Sequence, residues 1–311
     1  MKTRRNLNTL NNQPTVVTIG TFDGVHVGHQ KIINRLINTG KLEDLQSVIL
    51  TFFPHPRMVL QKDSNIKLIN TIDERHNILD ELGLDCLVIK KFTHEFSRLS
   101  AEDFVKQILV EKLNAKKVII GYDHRFGRNR NADINDLKAF GETYDFEVEE
   151  ISAQDINDVA VSSTKIRKAL LEGEIQKANT FLGYNFMLTG KVTKGKGLGK
   201  QIGFPTANIE IVEDYKIIPK QGSYIVNALI NETLVYGMMN IGMNPTVNGD
   251  KQTIEVHFFD FDANIYEDTI QIDLLHRIRD EEKFESIEVL KNQLKKDKAT
   301  ALEYIINQNA K

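Results

Sequence analysis

The segment Gly20-Thr21-Phe22-Asp23-Gly24-Val25-His26-Val27-Gly28-His29 decides the architecture of the first half of the chain. It follows an apolar run, residues 16–19, and leads into an amphipathic stretch, residues 30–38. Strand, glycine turn and helix in that order open a crossover unit of a parallel sheet. Glycines let the backbone come close to a ligand, and the free N–H groups at a helix start attract anionic oxygens. His26 and His29 are three positions apart, so both imidazoles can face one phosphate chain and donate hydrogen bonds to charge that builds during substitution at phosphorus. An isolated His-x-Gly-His is as often an ordinary cap or surface feature, and the flanking strand and helix are what make it a candidate site. A histidine metal centre would need His55 or His124 brought in by folding.

Outward from this segment the same grammar repeats. Residues 47–52, 85–90, 116–120 and 146–151 read as further strands, and 72–82, 101–113 and 134–144 as helices between them. Ser100 with Asp103 predicts a capped helix start. The expected first domain is α/β, a Rossmann-like parallel sheet with helices on both faces and phosphate sites at the carboxyl ends of its strands. Later, Val161-Ser162-Ser163-Thr164-Lys165-Ile166-Arg167 opens a helix with Ser163 and Arg167 on one face. Hydroxyl, helix terminus and guanidinium there could hold the β and γ phosphates of ATP; the plainer reading is an N-cap beside a solvated arginine.

Beyond residue 186 short strands follow one another, at 187–193, 207–211, 222–230, 233–240, 253–259 and 269–275. Gly, Pro and Asn cluster between them at 195–199, 219–222 and 242–249, as antiparallel turns require. The spacing predicts a small antiparallel β-barrel with a packed helix over 286–307. The boundary falls at 183–186, after helical stretches at 163–171 and 174–182, giving domains 1–184 and 185–311.

The barrel half holds its own candidate chemistry. Gly190 to Gly199 is rich in glycine and lysine but lacks the Gly-Lys-Ser/Thr of a Walker loop. In Gly203-Phe204-Pro205-Thr206-Ala207-Asn208, Pro205 favours extended backbone, so Thr206 and Asn208 point to one side. A hydroxyl and an amide oxygen are hard ligands suited to Mg²⁺ held by ATP phosphates. Glu255 lies in a strictly alternating strand, on the face of Thr253 and His257, where a carboxylate could take the proton of an attacking hydroxyl. Alone, each of these is more commonly a solvated strand residue.

Composition bounds the function. A chain of 311 residues suits two domains, and 41% hydrophobic with 27% charged residues is the balance of a soluble globular protein. Lys plus Arg at 40 against Asp plus Glu at 43 gives net −3, which offers no global attraction to nucleic acid or an anionic bilayer. One cysteine, Cys86, excludes an intrachain disulfide and points to a reducing compartment, the cytoplasm. Neither a secretory signal nor a membrane-spanning run is expected.

The pairing of Gly20 to His29 with Ser162 to Arg167 resembles nucleotidyltransferases in which His-x-Gly-His accompanies Ser-Ser-Thr-x-x-Arg. Thr51-Phe52-Phe53-Pro54-His55-Pro56 and Gly121-Tyr122-Asp123-His124-Arg125-Phe126-Gly127 are similar to the flavin-nucleotide adenylyltransferases of bacteria. The resemblance implies ATP contacts at Gly20, Phe22, Gly24, Gly28, Ser163, Thr164 and Arg167, with His26 and His29 catalytic. It implies flavin contacts at Pro54, His55 and Asp123.

The second half resembles riboflavin kinase, through Gly190 to Asn208, Gly222-Ser223-Tyr224, Asn240 to Thr246, the Glu255 strand and Arg279-Asp280-Glu281-Glu282-Lys283-Phe284. That implies ATP at Gly195 and Gly197, Mg²⁺ at Thr206 and Asn208, Glu255 as general base and Arg279 near flavin. Lys200 stands for the usual arginine, Asp280 for a common proline, and His124 for an aromatic. Together the halves imply a bifunctional FAD synthetase: riboflavin and ATP give FMN, and FMN with a second ATP gives FAD and pyrophosphate. A kinase with an inactive or differently specific adenylyl half is one alternative. A flavin-binding regulator of RNA or protein is another, disfavoured because no basic stripe is present.

Overall fold

The computed structural model describes residues 1–4, 13–61, 65–121, 124–152, 161–195, 197–246 and 249–309. They form two compact units, Met1–Ser163 and Thr164–Lys311. In the first, β1 (Lys2–Arg4), β2 (Thr15–Ile19), β3 (Gln46–Phe53), β4 (Cys86–Lys91), β5 (Ala115–Gly121) and β6 (Glu147–Ile151) build one parallel sheet in the order β1-β4-β3-β2-β5-β6. All of β2 is buried, without alternation, as expected of a strand covered on both sides. Val17, Val48, Val88 and Val118 share a core with Leu109 and Leu137 from the helical connections, and the intervening Val16, Ile49, Leu87 and Ile119 are buried as well.

The order reverses beside β2. The chain runs outward through β3 and β4 on one side and through β5 and β6 on the other. A crevice therefore lies at the carboxyl ends of β2 and β5, where Gly20 to His29 and the segment after Gly121 emerge.

The helices of this unit follow local chemistry. α1 (Val27–Glu43) starts earlier than its apolar periodicity indicates because His26 caps it, its side chain accepting from the His29 N–H. A short α2 (Pro56–Leu60), not expected from sequence, forms because Pro56 suits the first helical position and His55 caps it. α3 (Ile72–Glu81) has a reciprocal capping box between Thr71 and Glu74. α4 (Ala101–Phe104) is capped by Ser100, as predicted, but continues as a wider π turn over Val105–Val110, which brings Val105, Ile108 and Leu109 into the core. α5 is Ile134–Tyr144.

In the second unit, α6 (Ser163–Glu172, its first residue counted with the first unit) and α7 (Ile175–Leu182) precede a closed antiparallel barrel. Its strands are β7 (Met187–Thr193), β8 (Ala207–Glu210), β9 (Gly222–Ile230), β10 (Thr233–Thr246), β11 (Gly249–Phe258) and β12 (Thr269–Arg279). Around the barrel they run β10-β11-β8-β7-β12-β9. β10 and β11 extend beyond the expected 233–240 and 253–259, because the Asn, Pro and Gly residues there continue the hairpin ladder to Thr246↔Gly249. A four-residue helix, α8 (Leu198–Gln201), replaces part of the expected loop.

The final helix, α9 (Ile287–Asn309), packs Leu290, Leu294, Ala301 and Tyr304 against Ile225, Met238 and Phe259 of the barrel. Its Asp297, 1% exposed, takes Nε and Nη2 of Arg279 at 2.9–3.1 Å, and Gln293 donates to the same carboxylate at 2.8 Å. Removing one partner of such a pair leaves a charge without compensation. Asp297→Ala is therefore expected to destabilise the barrel unit by about 3 kcal/mol, read as a lower denaturant midpoint for that unit, whereas Asp262→Ala at an exposed loop position of the same unit should leave the midpoint in place.

Candidate active sites

In the first unit the loop after β2 is bent by left-handed backbone at Phe22 (φ 46), Gly24 (φ 89) and Val25 (φ 34). The bend places His26 at the start of α1, and one turn on, His29 stacks on it with ring centroids 3.6 Å apart and planes 15° from parallel. The His29 N–H donates to His26 Nδ1 at 3.3 Å, so the His26 proton resides on Nε2, which is left as a donor. Phe22 meets His29 edge-on at 5.1 Å.

Burial pushes the His26 imidazolium down to about 4, against an opposing backbone hydrogen bond and the Asp23 carboxylate. His29 is held well below its ordinary value by burial first, then by His26 and Arg75. Both rings are neutral N–H donors at neutral pH, and the Nδ1 of His29 is buried without a hydrogen-bond partner among the described residues. Such a pair is suited to receive an anion whose arrival would favour protonation.

The second motif reaches the same loop. The Ser163 hydroxyl donates to the Asp23 carbonyl at 2.8 Å. Thr164 and Arg167 follow on α6. Pro54 and His55 emerge from the carboxyl end of β3, adjacent to β2 in the sheet, with His55 Nδ1 accepting from the Arg57 N–H at 3.2 Å. His124 stacks beside Phe126, 6.2 Å between centroids. Asp123 lies outside the described residues.

Sequence reasoning missed Arg75. It is 1% exposed, and its guanidinium donates to the Thr21 carbonyl at 2.7 Å and to Asp23 Oδ1 at 3.4 Å. The signal was present: Arg75 shares the helix face of buried Ile72, Ile78 and Leu79, where a charge has no place unless paired.

In the barrel unit Glu255 of β11 stands in register with Asn208 of β8 and with Asn240 of β10. The Thr206 hydroxyl donates to Glu255 Oε2 at 3.2 Å. The Asn208 amide lies flush against Gly195, and a side chain at 195 would overlap it. The pair Thr206 and Asn208, with Glu255 and Gly195 singled out separately, is thus gathered where the start of β8 faces Glu255 of β11. Gly197 adopts left-handed backbone (φ 72) and caps α8. His257 donates its Nδ1–H to the Pro205 carbonyl at 2.8 Å, fixing the start of the Thr-Ala-Asn strand.

Arg279 is held by Asp297, donates through Nη1 to the Asp280 carbonyl at 3.0 Å, and lies 5.5 Å from the Phe284 ring. Asp280, where a proline is common, joins Lys220 (2.8 Å) to Arg277 (2.7 Å); Lys220 first and Arg277 second bring its carboxyl down to about 2. Glu281, given no role from sequence, accepts from Asn240 Nδ2 at 3.4 Å, and burial raises its carboxyl above the usual range.

Two family models match the chain: FAD synthetase over residues 8–165 and riboflavin kinase over residues 182–305. The chain is 40% identical over 291 residues to a bifunctional riboflavin kinase/FMN adenylyltransferase of Buchnera aphidicola, covering 92% of each. It is 38% identical to one of Listeria monocytogenes, over 91% of this chain and 90% of that one, and 34% identical to one of Escherichia coli, over 98% of both. A crystal structure from Streptococcus pneumoniae, described as a macrolide-efflux protein, superposes with a TM-score of 0.87 at 31% identity, over 96% of this chain and 98% of that one. By both family matches and by these relatives, the chain belongs to the bifunctional riboflavin kinase/FMN adenylyltransferases, enzymes that carry both activities.

Proposed function

We propose that the two activities are divided between residues 185–311, which phosphorylate riboflavin, and residues 1–184, which adenylylate the FMN formed. The observation that carries this is the separate gathering of the two residue sets: His26 stacked on His29 with Ser163 tied to the same loop, and Thr206 bonded to Glu255 beside Asn208.

In the kinase reaction the ribityl hydroxyl attacks the γ-phosphorus of ATP. Its proton passes to the Glu255 carboxylate, and the bond from the γ-phosphorus to the bridging oxygen breaks to release ADP. Because the Thr206 hydrogen is directed at Glu255, the hydroxyl lone pairs are left for a cation, and the missing side chain at Gly195 leaves room beside the Asn208 amide. This donor set fits Mg²⁺, which keeps most of its waters and needs few protein oxygens. When bound with ATP, the ion neutralises phosphate charge. Thr206 and Asn208 would hold it, Gly195 and Gly197 would let the backbone approach the nucleotide, and Arg279 would face the flavin from its Asp297 mount.

In the adenylyl reaction a phosphate oxygen of FMN attacks the α-phosphorus of ATP, and pyrophosphate leaves. His26 and His29 donate hydrogen bonds to the charge that develops at phosphorus. Ser163, Thr164 and Arg167 at the start of α6 bind the departing phosphates, and Gly20, Phe22, Gly24 and Gly28 shape the loop around the nucleotide. Pro54, His55 and Asp123 are assigned to the flavin. We place the reactions in the cytoplasm, where ATP is supplied and the single cysteine, the buried Cys86, stays reduced. Among the described residues no helix is long and apolar enough to cross a membrane.

Gly195→Ala tests the kinase assignment. The added methyl displaces the Asn208 amide, so riboflavin phosphorylation should fall by about 10²-fold and require more Mg²⁺, while conversion of supplied FMN to FAD is unchanged. Equal loss of both reactions, followed chromatographically, would contradict the assignment of Asn208.

A further inference from the structure

Adenylyl transfer as described makes no use of the most deeply buried cation beside it. Arg75 and Asp23 are each 1% exposed. A buried ion pair is commonly no more stabilising than a well-packed apolar pair of the same volume, so stability alone does not explain its presence. What the pair does geometrically is specific. The Arg75 fork reaches the Thr21 carbonyl with Nη1 and Asp23 Oδ1 with Nη2, the residues on either side of Phe22. Asp23 is fixed in turn by the Ile69 N–H at 3.0 and 3.1 Å and the Asn70 N–H at 3.3 Å.

Between these two anchor points the backbone is strained. Phe22 and Val25 are non-glycine residues with left-handed φ, and such strained residues persist only where their surroundings over-determine them. The Phe22 ring abuts His29, and His29 stacks on His26, so a displacement at Phe22 is transmitted to both imidazoles. The Asp23 carbonyl, on the same residue that Arg75 grips, receives the Ser163 hydroxyl. One buried residue pair thus sets the stacked histidines and the serine of the second motif relative to each other.

We propose that Arg75, acting through Thr21 and Asp23, is a positioning residue for FMN adenylylation: it locks the strained loop in the one arrangement in which His26, His29 and Ser163 face the same phosphate chain. The proposal rests on the reading of His26 and His29 as transition-state donors. Lysine separates charge from geometry, since an ammonium keeps the positive charge but lacks the planar fork that bridges two fixed acceptors.

The full chain carrying Arg75→Lys is compared with Asp23→Asn, with the double variant and with His29→Ala, using FMN, ATP and Mg²⁺. For Arg75→Lys, kcat for FAD formation is expected to fall by about 10- to 100-fold with KM for FMN and ATP within about twofold, the pattern of an interaction felt in the transition state. Riboflavin phosphorylation by the same preparation should match wild type. The double variant should be no worse than the poorer single one, because both remove the same link. Should Arg75→Lys not fold, Asp23→Asn reads the same kcat-against-KM split.

Wild-type kcat in folded Arg75→Lys, a loss lying wholly in KM or in the unfolded fraction, or additive losses in the double variant would overturn the proposal. An active His29→Ala would instead overturn the histidine reading. An inactive His29→Ala beside a fully active Arg75→Lys would sink the positioning role alone.

Discussion

His29→Ala is expected to abolish FAD formation while FMN still accumulates from riboflavin. The ring lies in the first turn of α1, stacked on His26, with a buried Nδ1 that has no hydrogen-bond partner among the described residues. Loss of one preorganised donor to a developing oxyanion costs about 10²–10³-fold in kcat. Here the loss should reach that range. His26 and the loop backbone stay in place, so the variant should still bind ATP with little change. On the proposed division of labour FMN production belongs to the barrel unit, which contains neither histidine, and should proceed at the wild-type rate. Chromatography of the flavins from one incubation reads both outcomes together.

Glu255→Ala should have the opposite signature. It removes the acceptor of the Thr206 hydroxyl and the candidate base in one change. General-base contributions run to about 10²–10⁴-fold, and without the carboxylate Thr206 is free to turn away from the position in which its lone pairs face the cation. Riboflavin phosphorylation should fall by at least that factor, with supplied FMN still converted to FAD. Glu255→Gln refines the test, since the amide oxygen can still accept from Thr206 but cannot take up the proton. Activity should remain low in Glu255→Gln even where Mg²⁺ dependence returns toward wild type; full activity would remove Glu255 from the role of base.

What the amino-acid sequence made legible was what local physics controls. Val16 to Ile19 followed by a glycine turn read as a strand entering a loop and a helix, and the structure adds only Thr15 to that strand. Residues 134–144 and 187–193 coincide with α5 and β7, because capping, periodicity and alternation all agree there. The barrel was legible from turn residues at regular spacing, although Asn244, Pro245 and Gly249 proved to continue a hairpin. Lys2–Arg4 was not legible as a strand: it is polar, three residues long, and exists because Cys86 to Val88 offer a free sheet edge.

The same division runs through the candidate sites. His26 with His29, and Thr206 with Asn208, are neighbours in sequence, and their pairing followed from helix and strand periods. That Ser163 would bond to the Asp23 carbonyl, 140 residues earlier, is a tertiary fact. So is the clamp of Arg75 on Thr21, which lies 54 residues away. Arg75 could be suspected only from its place on an apolar helix face, a signal that names a buried charge but not its partner. Asp280 is comparable: as a departure from the resemblance it had no reading, and the structure supplies one in Lys220 and Arg277.

The central claim is that the two units use opposite ends of the triphosphate. Incubation of His29→Ala and Glu255→Ala with ATP labelled at either the γ- or the α-phosphorus tests it most directly. With riboflavin, His29→Ala should place γ label in FMN and no α label in any flavin. With FMN, Glu255→Ala should place α label in FAD and no γ label. Folded variants that each lose incorporation from both positions together would contradict the account.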